Sequence, residues 1–131
     1  MIVDASALVA VVREEPGSST YLDAMLRSPT NRVSAATFLE AAIVIDRLPN
    51  PLAAARYDVL VERLSIVMQP VTAVQARIAR DAYGRFGKGT GHPARLNFGD
   101  CFSYALAMAL EGPLLFVGQD FVHTDVRRVL G

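Results

Sequence analysis

Short apolar runs alternate with longer helix-forming segments along this chain. The run from Met1 to Val3 leads directly into Ala5 to Val12, which predicts a buried strand followed by a helix. Three further short runs predict strands in the same way: Arg32 to Ser34, Ile66 to Met68 and Leu114 to Val117. Strands that alternate with helices favour an α/β fold, a three-layer sandwich with a mostly parallel central sheet flanked by helices.

The segments between these strands predict five more helices, bounded by proline, glycine and capping residues. We place them from Pro16 to about Arg27, from Ala35 to Leu48, from Leu52 to about Leu64, from Thr72 along a stripe that ends at Phe86, and from Phe98 to Leu110. The last of these is apolar almost all round, so we expect it to be buried on several sides. Four glycines between Gly84 and Gly91, followed by Pro93, predict a mobile loop.

Composition and length narrow the class of protein. The chain has 131 residues, of which 52% are apolar and 20% charged, so it can build a core and we expect a single domain over residues 1–131. No apolar run reaches the roughly 18 residues of a membrane helix, and the first residues lack the basic region of a secretory signal, which together predict a cytoplasmic protein. The single cysteine, Cys101, excludes an intrachain disulfide and a cysteine-rich metal cluster, and we expect it to pack in the core.

Charge is balanced over the whole chain but not along it. The chain has thirteen basic and thirteen acidic residues in total, whereas residues 77–95 contain five cations and one anion. The five cations are Arg77, Arg80, Arg85, Lys88 and Arg95. Arginine favours planar, paired contacts with phosphate or carboxylate groups. An equally good explanation of this stretch is a solvent-exposed face whose positive charge balances acidic residues of a second copy of the chain or of a partner.

Four carboxylates lie where strands end or helices begin. Asp4 and Asp120 each follow a predicted strand, while Glu40 and Asp100 fall early in predicted helices. Taken singly, each has an ordinary explanation, because helix caps or a turn would account for three of them and Thr37 with Glu40 matches a capping box. The capping explanation fits Glu40 poorly, because Glu40 falls in the second turn of its predicted helix, too far along to reach the free N–H groups of the first turn.

Taken together, the four carboxylates predict a metal site. A parallel sheet brings the carboxyl ends of its strands to one edge, where open α/β sheets bind ligands. Several carboxylates in one place repel one another unless cations neutralise them, and Mg²⁺ or Mn²⁺ prefer such oxygen-rich sites. Ions about 4 Å apart can activate water in phosphodiester hydrolysis without a histidine or cysteine nucleophile. His92 and His123 lack the spacing of a metal pair, so we expect both to be structural or exposed.

These acids lie in four segments whose order and spacing are specific. The segments are the strand that ends in Asp4 with Ser6 close behind, Ser34 to Glu40, Leu96 to Cys101, and Leu115 to Phe121 followed by Asp125. Together they span nearly the whole chain and resemble PIN-domain proteins, specifically the VapC toxins of type II toxin–antitoxin modules.

The resemblance implies a PIN-like sandwich and a Mg²⁺-dependent endoribonuclease, with Mn²⁺ as a substitute ion. It also implies a homodimer that is inhibited by a cognate VapB-type antitoxin. It assigns catalysis and metal binding to the four acids Asp4, Glu40, Asp100 and Asp120, with Asp125 as a second candidate for the fourth position and Ser6 in a supporting role. We interpret the cations of residues 77–95 as contacts to RNA phosphates, because a glycine-rich loop that carries arginines can approach a nucleic-acid backbone closely.

Other phosphoryl-transfer folds fit this sequence less well. A response-regulator receiver needs an adjacent acidic pair after its first strand and a lysine late in the chain, but Ala5 follows Asp4 and the only lysine is Lys88. A haloacid-dehalogenase phosphatase needs a second aspartate at the position of Ser6. The alternative from another class is a non-catalytic PIN-like module that binds RNA or a protein, and four intact acids argue against it.

Overall fold

The computed structural model describes all 131 residues and contains four strands and six helices. The strands are β1 (Ile2–Val3), β2 (Asn31–Ser34), β3 (Ile66–Gln69) and β4 (Leu114–Leu115). The helices are α1 (Ala5–Val12), α2 (Ser18–Arg27), α3 (Ala35–Asp46), α4 (Ala53–Arg63), α5 (Ala73–Phe86) and α6 (Phe98–Ala109). The strands form one sheet in the order β3-β2-β1-β4, and every pairing is parallel. The predicted parallel α/β sandwich is therefore confirmed.

The sheet separates two apolar clusters, because neighbouring residues of a strand point to opposite faces. In β1, Ile2 packs with residues of α5 and α6, whereas Val3 packs with residues of α1 to α4. In β4, Leu114 and Leu115 divide between the two clusters in the same way. All four side chains are at most 1% exposed. Burial on both faces thus stabilises strands of only two residues, and it produces the three layers.

Helix α6 is buried on several sides, as its apolar sequence predicts. Asn97 caps it: Asn97 Oδ1 accepts a hydrogen bond from the Asp100 N–H at 2.8 Å, and Asp100 Oδ2 accepts one from the Asn97 N–H at 3.0 Å. Seven of its twelve residues are buried. Cys101 is among them, and burial raises the pKa of its thiol to about 11, so it is the packing residue that was expected.

Several element boundaries differ from the sequence prediction by one or two residues, and two of these differences have local reasons. Helix α2 begins at Ser18 rather than at Pro16, because Gly17 adopts a left-handed φ of 85° that a helix does not accommodate. Strand β4 ends at Leu115 rather than at Val117, whose N–H donates to the Ser6 hydroxyl. None of the six helices combines the length and apolar character that a membrane span requires.

The predicted glycine loop begins later than the glycines indicate. Helix α5 continues through Gly84, around which the structure leaves open space, and ends at Phe86. One glycine inside a helix costs about 1 kcal/mol, and the burial of Phe86 in the core offsets that cost. The loop is closed at its base, since Lys88 N–H donates to the Leu96 carbonyl at 2.8 Å and Leu96 N–H donates to that of Phe86 at 2.9 Å.

Candidate metal centre

The first acid lies at the carboxyl end of β1. Asp4 is only 4% exposed, and both of its carboxylate oxygens accept hydrogen bonds. Oδ1 accepts from Ser103 Oγ at 2.5 Å, while Oδ2 accepts from Ser6 Oγ at 2.6 Å and from the Ser6 N–H at 3.1 Å. Asp4 therefore caps α1, as its ordinary explanation predicted. Capping does not exclude metal binding, because Oδ1 accepts only the Ser103 hydrogen bond and keeps a second lone pair.

Hydroxyl groups connect Asp4 to three other parts of the chain. Thr37 Oγ1 lies 3.1 Å from Ser103 Oγ, and because the Ser103 hydroxyl donates to Asp4, the Thr37 hydroxyl donates to Ser103. Ser6 Oγ accepts the Val117 N–H at 3.0 Å. These bonds link β1 to α3, to α6 and to the segment after β4. The orientation of Asp4 is thus determined by groups from several elements.

Sequence reasoning identified Ser6 but missed Ser103 and Thr37. A signal for Ser103 was present, since it follows Asp100 by three positions and therefore shares a face of α6 with it. A buried hydroxyl on an otherwise apolar helix needs a polar partner. Thr37 carried a misleading signal, because it was interpreted only as part of a capping box with Glu40.

Asp100 is buried in the first turn of α6, with 8% of its surface exposed. Burial raises the pKa of Asp100 to about 7, and the nearby carboxylates of Asp4, Asp120 and Glu40 act in the same direction. The Asn97 N–H opposes them by donating to Oδ2. Oδ1 makes no hydrogen bond and is therefore the oxygen that remains available to another partner.

Glu40 lies in the second turn of α3 and is half-buried. The capping box that Thr37 and Glu40 would form is absent: α3 begins after Ser34, without a side-chain cap, and the Thr37 hydroxyl is bound to Ser103. That explanation of Glu40 is wrong. Burial and the Asp4 carboxylate raise the pKa of Glu40 above its ordinary value. The Glu40 carboxylate lies against the backbone of Gly99, next to Asp100 in the chain.

Asp120 lies in the turn after β4. Gly118 produces this turn with a φ of 99°, a left-handed conformation that favours glycine. Asp120 is exposed and lines a polar cavity of about 410 Å³. The cavity is also lined by Asn97, the cap of α6, and by the cations Lys88 and Arg95. His123, which was expected to be structural or exposed, is exposed and contributes to the same wall.

The structure brings the four predicted acids close enough together that the other three each raise the pKa of Asp100. None of the three ion pairs in the structure includes any of these acids. No three of them are already arranged around one ion position. Oxygen donors that repel one another and have no cationic side chain as partner are the donor set of Mg²⁺ or Mn²⁺, so these residues fit such an ion.

Asp125, the second candidate for the fourth position, has other partners. Its Oδ1 accepts a hydrogen bond from the Tyr104 hydroxyl at 2.6 Å, and its Oδ2 lies 3.6 Å from Arg85 Nη1. Burial and the bond to Asp125 raise the pKa of Tyr104 to about 12, so Tyr104 remains a donor. Between the two candidates, the contacts favour Asp120, because both oxygens of Asp125 have partners in Tyr104 and Arg85, whereas Asp120 has no ion pair.

The five cations of residues 77–95 have separate surroundings. Arg77 and Arg80 are exposed on α5. Arg85 is bound to Asp81, Tyr104 and Asp125. Only Lys88 and Arg95 line the polar cavity beside Asp120. His92 is structural, as expected, because its Nδ1 accepts the Ala94 N–H at 3.1 Å and its ring packs on Phe86.

Known proteins resemble this chain in sequence and in fold. The PIN domain family matches residues 1–127. A VapC ribonuclease of Mycobacterium bovis and ribonuclease VapC28 of Mycobacterium tuberculosis are each 50% identical over 130 residues, which are 99% of this chain and 98% of theirs. The crystal structure of Mycobacterium tuberculosis VapC20, a sarcin–ricin-loop-cleaving toxin, matches with a TM-score of 0.72 at 21% identity and covers 96% of this chain and 98% of that one. A toxin–antitoxin complex from Klebsiella pneumoniae matches with a TM-score of 0.69 at 14% identity, over 95% of this chain and 92% of that one.

Proposed function

The chain belongs to the PIN-domain family and, within it, to the VapC ribonucleases, and we propose that it is a metal-dependent endoribonuclease that acts as the toxin of a toxin–antitoxin module. One observation carries the proposal: Asp100 is buried among three other carboxylates that no cationic side chain offsets. Such a cluster lowers the stability of the fold unless bound cations neutralise its charge. The homology and the cluster thus support the same chemistry independently.

VapC nucleases of the PIN-domain family generally use divalent metal ions. For this chain we propose Mg²⁺, with Mn²⁺ able to replace it, held by Asp4 and Asp100 and completed by Glu40 and Asp120 directly or through water. Asp100 Oδ1 is the available oxygen of its carboxylate, since Asn97 holds Oδ2. When bound, the ion activates water and stabilises the charge that develops on the leaving oxygen.

The residues of the chain prepare this site for hydrolysis of an RNA phosphodiester. Ser6 and Ser103 fix the orientation of Asp4, and the α6 cap fixes that of Asp100. Lys88 and Arg95, in the cavity next to Asp120, supply the positive charge that an RNA phosphate needs on approach. In the reaction, a water oxygen bonds to phosphorus, one P–O ester bond breaks, and the leaving oxygen takes up a proton.

Cleavage of labelled RNA by the purified chain tests this function. We expect cleavage with Mg²⁺ or Mn²⁺ and none with EDTA, and we expect Asp100→Asn to abolish it, because the amide keeps the hydrogen bond to Asn97 but loses the charge. Asp125→Asn is the matched control and should cleave at the wild-type rate. RNA binding without cleavage under every metal condition would instead support the non-catalytic module.

The antitoxin partner has a candidate binding surface on the other side of the sheet from α6. Helices α2 and α4 enclose an apolar groove of about 720 Å³, in which Leu26, Leu52 and Val59 are exposed. An apolar segment of a VapB-type antitoxin would bury these side chains. Induction of the chain alone should then arrest growth, and co-expression of its antitoxin should relieve the arrest. Leu52→Glu should prevent that relief without affecting cleavage.

The homodimer is a separate proposal, for which α5 and α6 offer a second apolar face. Phe98 is 78% exposed, stacks edge-on against Phe102 and borders a cavity of about 520 Å³ shared with Tyr83. Because Phe98 lies two residues before Asp100, pairing of two copies here would bring their acidic clusters towards each other. Light scattering should show a dimer for the wild type and a monomer for Phe98→Glu. A dimer that survives this substitution would place the contact elsewhere.

A further inference from the structure

The carboxylate of Glu40 occupies the space that a side chain at position 99 would fill. A Cβ built on Gly99 would lie 2.5 Å from Glu40 Cδ and 2.9 Å from Oε1, with Oε2 nearer still. Real Cβ atoms do not approach other heavy atoms so closely. Gly99 is the only glycine of the chain whose missing side chain is replaced by a carboxylate.

We propose that Gly99 is a positioning residue, whose lack of a side chain allows the Glu40 carboxylate to reach the acidic cluster. The inference rests on the proposed function, because it assigns Gly99 a role in the same site. Glu40 comes from α3 and Gly99 from the first turn of α6, so the contact sets how closely these two helices bring their acids together.

Backbone conformation gives no other reason for a glycine at this position. Gly99 is the second residue of α6 and does not have a left-handed φ, unlike Gly17 or Gly118. Glycine has a lower helix propensity than alanine, by up to about 1 kcal/mol in a helix interior. The chain therefore carries a glycine where helix stability alone would favour alanine, and the contact with Glu40 accounts for it.

A methyl group at position 99 would displace Glu40 rather than prevent folding. The atoms that it would meet belong to the far end of a flexible side chain, which can rotate away. Rotation would move the Glu40 carboxylate away from Asp4, whose negative charge raises the pKa of Glu40 in the present arrangement. The effect of Gly99→Ala should therefore appear in metal binding before it appears in the fold.

Gly84 provides a matched control. It also lies within a helix, α5, and a Cβ added there would meet nothing within 4 Å. Gly84→Ala therefore has the same chemistry as Gly99→Ala and the same benefit to helix propensity, without the collision. We expect it to raise the melting temperature and to leave Mn²⁺ affinity and RNA cleavage at wild-type values.

The experiment is a double-mutant cycle between positions 99 and 40, read out by Mn²⁺ titration calorimetry, RNA cleavage and melting temperature without metal. In the wild-type background, Gly99→Ala should weaken Mn²⁺ binding at least tenfold and slow cleavage by a similar factor. In the Glu40→Ala background, where the carboxylate is gone, the same substitution should change neither quantity and should raise the melting temperature as Gly84→Ala does. Glu40→Gln keeps the volume of the side chain, so the collision with a methyl group at position 99 persists in that background. The double variant Glu40→Gln with Gly99→Ala should therefore melt at a lower temperature than Glu40→Ala with Gly99→Ala.

The outcomes separate this inference from the proposed function. Wild-type Mn²⁺ affinity in Gly99→Ala, or an equal loss in both backgrounds, would overturn the role of Gly99. If the wild type itself neither binds Mn²⁺ nor cleaves RNA, the proposed function fails, and the melting temperatures alone still report whether Gly99 positions Glu40. In that case, additive melting-temperature changes would overturn the positioning role as well.

Discussion

Two aspartates at α6, one in its first turn and one bound to Tyr104 in its middle, are held in opposite ways. Asp100 is buried among other carboxylates and has no cationic partner, whereas the side chain of Asp125 is 56% exposed and yet is bound to the Tyr104 hydroxyl and to Arg85. An exposed carboxylate has little need of partners, because water solvates it. A buried carboxylate without a cationic partner raises the free energy of the folded state. The difference indicates that the unpaired acids are retained for a ligand, while Asp125 joins α6 to the C-terminal segment.

The largest expected effect contrasts loss of an unpaired acid with loss of the paired one. Asp4→Asn should reduce RNA cleavage by at least about 100-fold, beyond the 10- to 100-fold that is typical for residues that only orient a metal ligand. Asp125→Asn should change the rate by less than twofold, because Asp125 takes no part in the cluster. Initial rates on one RNA at saturating Mn²⁺ measure both. Equal losses in the two variants would erase the distinction between the two regions.

The next effect concerns the hydroxyl groups that hold Asp4. Ser103→Ala removes the donor to Asp4 Oδ1 and the acceptor of the Thr37 hydroxyl, so we expect Mn²⁺ affinity to fall about 10- to 100-fold. Ser19→Ala, on the exposed surface of the remote helix α2, is the control and should leave affinity unchanged. Titration calorimetry with Mn²⁺ gives both values. Wild-type affinity in Ser103→Ala would show that Asp4 needs no such support.

A third prediction uses the pH dependence of stability. The ordinary pKa of Asp100 is 3.8 and its pKa in the folded protein is about 7, so between these values the folded protein retains a proton that the unfolded chain has released. The metal-free protein should therefore lose stability as pH rises from about 4 to about 7, and level off above that range.

Asp100→Asn should remove this pH dependence. At pH 8 the metal-free variant should be more stable than the wild type by roughly 2–4 kcal/mol, since one pKa unit corresponds to about 1.4 kcal/mol. Excess Mn²⁺ should stabilise the wild type and not the variant. Urea unfolding at pH 5 and pH 8, with EDTA or Mn²⁺, measures these differences. A variant less stable than the metal-free wild type at pH 8 would contradict the account of Asp100 as a strained, unpaired acid.

The sequence predicted the layered fold because its strands and helices have distinct periodicities. It located the acids because parallel strands share an edge, which holds for Asp4 and, after a turn, for Asp120. It could not assign Asp125, because the partner residues Tyr104 and Arg85 are 21 and 40 positions away and meet it only in the folded chain. The apolar stripe of α5 predicted its end at Phe86 correctly, whereas Gly84 was wrongly assigned to the loop, because a glycine is more often found in a turn than inside a helix.

The interior of the site was the least predictable part. Ser103 and Gly99 both lie on α6, beside a recognised acid, and neither has a role until Asp4 and Glu40 arrive from other elements. Local patterns identify residue types, whereas a hydrogen bond between residues 4 and 103 depends on the packing of the whole sheet. Of the four acids, only Glu40 had a capping explanation that the structure removes.

The smallest expected effect compares an unpaired cation with a paired one, as the first prediction compares two acids. Arg95 lines the cavity beside Asp120 without an ion pair, whereas Arg85 is bound to Asp81, Tyr104 and Asp125. Arg95→Ala should therefore reduce the slope of log affinity against log salt by about 0.7, the value of one single-stranded phosphate contact. Arg85→Ala should leave the slope unchanged and lower stability by at most about 1 kcal/mol, because the side chain is half exposed. Binding of Asp100→Asn to RNA over a range of KCl concentrations isolates these slopes from cleavage. If instead Arg85 carries the slope, the paired region also contacts RNA, and its cation does not serve Asp125 alone.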